Sequence, residues 1–234
     1  MLLSKESLRG YILEEVLAFL IRQTGCKLLV DRSQDTRDLD HRGNGVVVKG
    51  RGGVHQVDVL GQLEWIPAFT FPLRLFIEAK FRKRKTGIDV VRNAIGVALD
   101  INQNNSPTRE EGVFPQRYHY AYALFSTSGF SEYAVDMALA HQISLIDLSG
   151  EDFRELRRVI NQTAEDIIRN IEMDRTPLDR DIDNGQTDEQ IDINRNEIIN
   201  KIRYVLRKRL GTLPPEIENQ HSTNNRLICA TMLV

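Results

Sequence analysis

The chain has 234 residues, 41% of them hydrophobic, and its 31 lysines and arginines nearly balance 33 acids for a formal net charge of -2. That is enough for one domain with a full core plus an appendage, in an ordinary soluble composition. It excludes a globally basic nucleic-acid binder, so any such site must be a local basic patch offset by acid elsewhere.

Ser4 to Thr24 reads as an amphipathic helix. Leu8, Ile12, Val16, Phe19 and Leu20 fall on one face, Leu13 and Leu17 widen it, and Gly25 supplies the stop. Met1-Leu2-Leu3-Ser4-Lys5-Glu6 meets charge at once and lacks the apolar core of a signal peptide. Cys26 to Val30 reads as a short strand, Asp31 to Asn44 as a polar loop, and Gly45 to Lys49 as another strand. Gly50-Arg51-Gly52-Gly53 is a turn. It lacks the lysine and hydroxyl of a P-loop and precedes a strand, which argues against nucleotide hydrolysis.

Val54 to Trp65 and Leu73 to Phe81 read as strands, with Pro67 and Pro72 bracketing their connection. Arg82-Lys83-Arg84-Lys85 follows, then the break Thr86-Gly87. Ile88 to Ile101 is a helix with Val91, Ile95 and Leu99 at helical spacing, and Asn102 to Gln116 is a polar loop. Tyr118 to Ser126 is a buried strand, Gly129 to Ala140 a helix, and Ile143 to Leu148 a short strand. This order predicts an α/β fold with a central mixed sheet flanked by helices.

Glu151 to about Met173 reads as a helix, the start of a helical C-terminal extension over 151–211. An acidic linker follows near 174–192, interrupted by Pro177 and Gly185. Arg195 to Leu210 is a further helix with a basic face (Lys201, Arg203, Arg207, Lys208), and Arg226 to Val234 is an apolar run in a terminal segment 212–234. No apolar stretch approaches the roughly 20 residues that span a bilayer. Cys26 and Cys229 have no metal-like spacing and read as reduced thiols. The five histidines show no ligand spacing either, which argues against zinc. The expectation is a cytoplasmic protein without a membrane partner.

Most of the chemistry lies between Gln56 and Lys80. Asp58, Glu78 and Lys80 sit in segments that otherwise read as buried strands. Strands alternate their faces, so Glu78 and Lys80 point the same way. Charged groups there are costly unless paired or bound to a metal. A divalent ion on two carboxylates would neutralise a phosphodiester, position a water and lower its pKa. Mg²⁺, which takes hard oxygen ligands, suits Asp58, Glu78 and the backbone carbonyl of Ala79, with Mn²⁺ as a substitute. Lys80 would orient the water or meet the developing charge. The triad closes if the Gln56-Asp58-Leu60 face meets the Glu78-Lys80 face.

Gly52-Gly53-Val54-His55-Gln56-Val57-Asp58-Val59-Leu60-Gly61, followed by Ile77-Glu78-Ala79-Lys80, resembles the catalytic core of the PD-(D/E)xK nucleases, most closely the Mrr-like restriction endonuclease branch. Gly10-Tyr11-Ile12-Leu13-Glu14 resembles the first helix of that branch. Phe125 to Ser131, with Ala134 and Ile143 to Asp147, resembles its late strand-helix-strand. The resemblance covers 1–150. It implies a restriction-endonuclease-like fold and Mg²⁺-dependent DNA cleavage, with Asp58 and Glu78 as metal ligands, Lys80 as the lysine and Glu14 as a helix glutamate. It also implies a setting in defence against foreign DNA, with a homodimer or a further domain or subunit as partner. No proline precedes Asp58, and the gap from Asp58 to Glu78 is long for a simple hairpin.

Plainer readings stand beside these. Asp58, Glu78 and Lys80 can form a salt bridge on a solvated sheet face. Glu14 can be a surface charge and Gln56 ordinary strand polarity, though Gln56 can also contact DNA. Arg82, Lys83, Arg84 and Lys85 can be a solvated loop or phosphate contacts beside the scissile bond. Ser126 and Ser128 can hold a phosphate at a helix start or simply cap it. The rival functions are a non-catalytic DNA- or partner-binding module on the same fold, and a junction-resolving or repair nuclease.

Overall fold

The computed structural model describes residues 4–42, 45–66, 68–104 and 117–174. The acidic linker beyond 174, the expected Arg195–Leu210 helix, the apolar run at 226–234 and most of the loop at 102–116 lie outside them. The described residues fall into two compact units, one of 4–15 with 151–174 and one of 16–150. Among them no helix is long and apolar enough to cross a membrane.

In chain order the elements are α1 (Lys5–Gln23), β1 (Cys26–Leu28), β2 (Leu39–Arg42), β3 (Gly45–Lys49), β4 (Val54–Gln56), β5 (Val59–Leu63) and β6 (Leu73–Lys80). Then come α2 (Ile88–Asn102), β7 (His119–Ser126), α3 (Glu132–Ala140), β8 (Ser144–Asp147) and α4 (Arg154–Asp174).

The first unit holds the start of α1 and all of α4. Leu8, Ile12 and Leu13 are buried on α1, and Ile160, Ala164 and Ile167 make a stripe at helical spacing on α4. Lys5 pairs with Glu165 at 2.7 Å, both side chains largely exposed. Such a pair contributes little.

The second unit is built on a five-stranded sheet ordered β1-β5-β6-β7-β8. β1, β5 and β6 are antiparallel neighbours, whereas β6, β7 and β8 run parallel. The sheet is therefore mixed, as expected, and its parallel strands are joined through α2 and α3, since parallel neighbours need a crossover. β2, β3 and β4 form a second, antiparallel sheet. One core cluster joins the two sheets and these helices. It includes Val48, Val57, Leu60, Phe76, Val91, Ala94, Tyr122, Leu124, Phe130 and Ala134.

The sequence reading differs from the structure at three places. The stretch Val54 to Trp65 is two strands, because the chain leaves the small sheet after Gln56 and joins the large one at Val59. The polar segment at 31–44 contains β2, whose Leu39 is fully buried while Asp40 to Arg42 stay partly or wholly exposed. On α1 the buried stripe is Leu8, Ile12, Leu13 and Leu17, and Phe19 and Leu20 are exposed.

The β5–β6 pair combines a buried charge with an apolar tip that meets solvent. Arg74 is almost fully buried on β6. Its guanidinium bonds Asp35 (2.6 Å), Asp38 (3.4 Å), the Tyr120 hydroxyl (2.8 Å) and Gln62 (3.2 Å), and lies 3.4 Å from the Tyr118 ring centre. At the hairpin tip Trp65, Ile66, Phe69 and Phe71 are all exposed, Trp65 at 70%. Phe69 takes a left-handed backbone there, with φ of +65°.

Candidate active site

β6 is the strand that positions the site. It is paired on both sides, and its Arg74, Phe76, Glu78 and Lys80 share one face with Tyr120, Tyr122, Leu124 and Ser126 of β7, their partners in register. The β5–β6 ladder ends at Val59↔Ile77. Continuing that register by one residue sets Asp58, at the bend before β5, opposite Glu78. There the side chain takes over from the ladder: Asp58 Oδ2 accepts the Ala79 N–H at 2.8 Å.

The structure thus brings Asp58, Glu78 and Lys80 together. Lys80 Nζ pairs with Glu78 Oε1, and both side chains are largely but not wholly buried. The Tyr122 hydroxyl donates to Glu78 Oε2. Burial pushes the Asp58 carboxyl above its ordinary value; the Ala79 N–H and Lys80 pull it back, and the Glu78 charge pushes it further up. Burial also raises the Tyr122 hydroxyl, with the Glu78 and Asp58 charges adding to it, so it stays protonated and donating.

These donors suit a hard divalent cation. Two carboxylates repel one another here, and each carboxylate oxygen has a second lone pair beyond the hydrogen bond it accepts. The Ala79 carbonyl lies on the same strand edge. The Lys80 carbonyl accepts from Thr127 on the β7 side. Carbonyls alternate along a strand, so that of Ala79 faces the Asp58 side, where its N–H already points. Among the described residues no three His, Cys, Asp or Glu side chains converge, so a cation here would have only two carboxylates and a carbonyl from the protein.

Asp58 and Glu78 open into a cleft of about 390 Å³ lined also by Val54, His55, Gln56, Phe76, Asn93, Val97 and Tyr122. Gln56 is exposed on its wall. Arg82, Lys83, Arg84 and Lys85 are exposed just beyond Lys80. Their backbone is tied down: Arg82 N donates to Thr127 Oγ1, Ser128 Oγ donates to the Arg84 carbonyl at 2.6 Å, and Thr86 N donates to the Gly129 carbonyl. The Ser126 hydroxyl is fully buried, 2.8 Å from Thr86 Oγ1 and donating to the Gly129 carbonyl. Both serines therefore make scaffold contacts, while Ser131 caps α3. Glu14 is half-buried on α1, in the first unit.

Tyr122 is the residue that sequence reasoning missed. Tyr118, Tyr120 and Tyr122 alternate along β7 and so share a face. Which β6 residues they meet depends on a register that the sequence does not reveal across the intervening helix.

No family model and no curated protein matches the chain. Solved structures similar to part of it include a protein of unknown function, AF1548, at 20% identity and a TM-score of 0.41 over 59% of this chain and 58% of that one. The MspJI restriction endonuclease in complex with a 27-mer oligonucleotide is similar at 11% identity and a TM-score of 0.32, over 65% of this chain and 31% of that one. The chain spans less than two thirds of either.

Proposed function

We propose that this chain is a Mg²⁺-dependent deoxyribonuclease that hydrolyses phosphodiester bonds with water as the nucleophile. The observation that carries this reading is the convergence of Asp58, Glu78 and Lys80 where the β5–β6 ladder ends, with Asp58 bonded to the Ala79 backbone. Asp58, Glu78 and the Ala79 carbonyl would hold the ion, which when bound neutralises phosphate charge and makes its water more acidic. Lys80 orients the attacking water or meets charge developing on the phosphate. Tyr122 holds the Glu78 carboxylate in place through Oε2. Gln56 contacts the strand from the cleft wall, and Arg82 to Lys85 take flanking phosphates. Because that loop's backbone is already tied down, its ordering adds little cost on binding. Ser126 and Ser128 support it from below.

The Mrr-like motif supports a role in restriction of foreign DNA, with Mn²⁺ replacing Mg²⁺ in the assay. Cutting both strands would take a second copy or a partner subunit. The test is cleavage of plasmid, linear duplex, single-stranded and branched DNA, with and without Mg²⁺, by the wild type and Asp58→Ala. The expected result is metal-dependent cutting that Asp58→Ala lowers by about a hundredfold or more. Cutting without metal, equal cutting by the variant, or binding without any cutting would overturn the reading. A strong preference for branched DNA would move the function to junction resolution with the chemistry unchanged.

A further inference from the structure

Lys80 is already paired with Glu78, and the residues that line the cleft beside Asp58 and Glu78 include one further side chain able to carry positive charge, which is held. Of the lining residues only His55 can be a cation. Its Nε2 lies 2.7 Å from Asp100 Oδ2. Asp100 sits one turn beyond Val97 and two beyond Asn93 on the α2 stripe that walls the cleft. Its carboxyl is held below the ordinary range, chiefly by the His55 hydrogen bond, so it is ionised and accepts. The same carboxylate accepts the Gly52 N–H at 2.8 Å through its other oxygen, and the Asp100 carbonyl accepts the Arg51 N–H. The turn leading into β4 is built around this pair: a Cβ on Gly50 would fall 1.9 Å from Asp100 Oδ2.

An imidazole whose Nε2 donates to a carboxylate has Nδ1 left for a second partner, and when doubly protonated it donates from both nitrogens. It bonds Asp100 from α2 and shares the cleft lining with Asp58 from the bend, Glu78 from β6 and Tyr122 from β7. The first three are carboxylates, which repel an anionic substrate unless a positive donor meets it. Three peptide units separate His55 from Asp58, at most about 10 Å of extended chain, so the imidazole is within reach of the scissile phosphate or its neighbour.

The geometry points to His55 as a substrate-contacting residue that donates from Nδ1 to a phosphate oxygen of the cleaved strand, with Asp100 as its positioning residue. This rests on the phosphodiesterase reading and adds a contact that reading does not require.

The test pairs protein variants with substrates in which one phosphate at a time, around the mapped cut site, is a neutral methylphosphonate. Wild type, His55→Ala, His55→Gln, Asp100→Asn and the double variant His55→Ala with Asp100→Asn, all of the full chain, are assayed with Mg²⁺ on each. At one position the neutral linkage is expected to slow the wild type by about tenfold. The same substitution should slow His55→Ala less than twofold, and His55→Gln, which keeps a donor, by an intermediate factor. Each comparison is a ratio within one variant, so a partly unfolded preparation does not distort it. Asp100→Asn should lose that phosphate sensitivity too, and the double variant should lose no more than His55→Ala alone. Equal sensitivity of the wild type and His55→Ala at every position would overturn the assignment. A wild type that cuts no unmodified DNA would overturn the nuclease reading and this inference together.

Discussion

A carboxyl that folding pushes above its ordinary range is ionised only at a cost, and Asp58 is such a group. Its contribution to stability is present in acid, below the ordinary value of 3.8, and is lost as pH rises through the higher folded value. Without divalent ions at neutral pH, Asp58→Asn is therefore expected to melt a few degrees above the wild type, because asparagine keeps an acceptor for the Ala79 N–H. The gap should close as pH falls toward 3.8. Added Mg²⁺ should raise the wild-type Tm and leave the variant's unchanged. A wild type that melts higher than Asp58→Asn in chelator at pH 7 would contradict this. Tyr122 acts on the other carboxylate. Tyr122→Phe keeps the ring stacked on Phe76, whose centre is 4.9 Å away, and removes only the donor to Glu78. The expected outcome is a folded protein whose cleavage needs about 10–100-fold more Mg²⁺, read from the metal dependence of the rate. Asp58, Glu78 and Lys80 were legible because charge in a strand pattern is conspicuous. Tyr122 was not, because an aromatic in a strand looks like core.

At the level of elements, Arg74 ties β6 to β7, to β5 and to the segment before β2 through one buried guanidinium. Asp38 in this network is pushed up by burial first and then by Asp35, so it depends on the arginine beside it. Arg74→Met removes the buried cation that Asp35 and Asp38 share and leaves Asp38 with Arg37, 3.5 Å away. It is expected to cost about 3–5 kcal/mol in denaturant unfolding, and a loss under about 1 kcal/mol would show the network to be dispensable. Strand identity came through well where β-branched or alternating residues were concentrated, as in the valine run of β3 and in β6. The break at Val57-Asp58 did not show, because the residues keep alternating while the chain changes sheets. β2 was hidden because a strand on a small outer sheet buries little beyond Leu39. Both misses are tertiary choices imposed on segments with weak local preference.

For the whole molecule, a net charge of -2 means that any DNA contact must be made by a local patch. Replacing Lys83 and Lys85 with alanine should weaken binding in Ca²⁺ and lower the slope of log affinity against log salt by about 0.9 for every phosphate no longer neutralised. An unchanged slope would remove the loop from the interface. From β5 to β8 the order strand, strand, helix, strand, helix, strand was readable, and with it the mixed sheet. The shape of the site was not, since it depends on the β6–β7 register and on where β5 begins. Trp65 is the chain's single tryptophan. At 70% exposed on the hairpin tip, its indole already sees water in the native state. Its emission should sit far to the red before any denaturant is added and shift little on unfolding. Fluorescence would then be a poor gauge of folding but a clean optical tag for anything that comes to cover the tip.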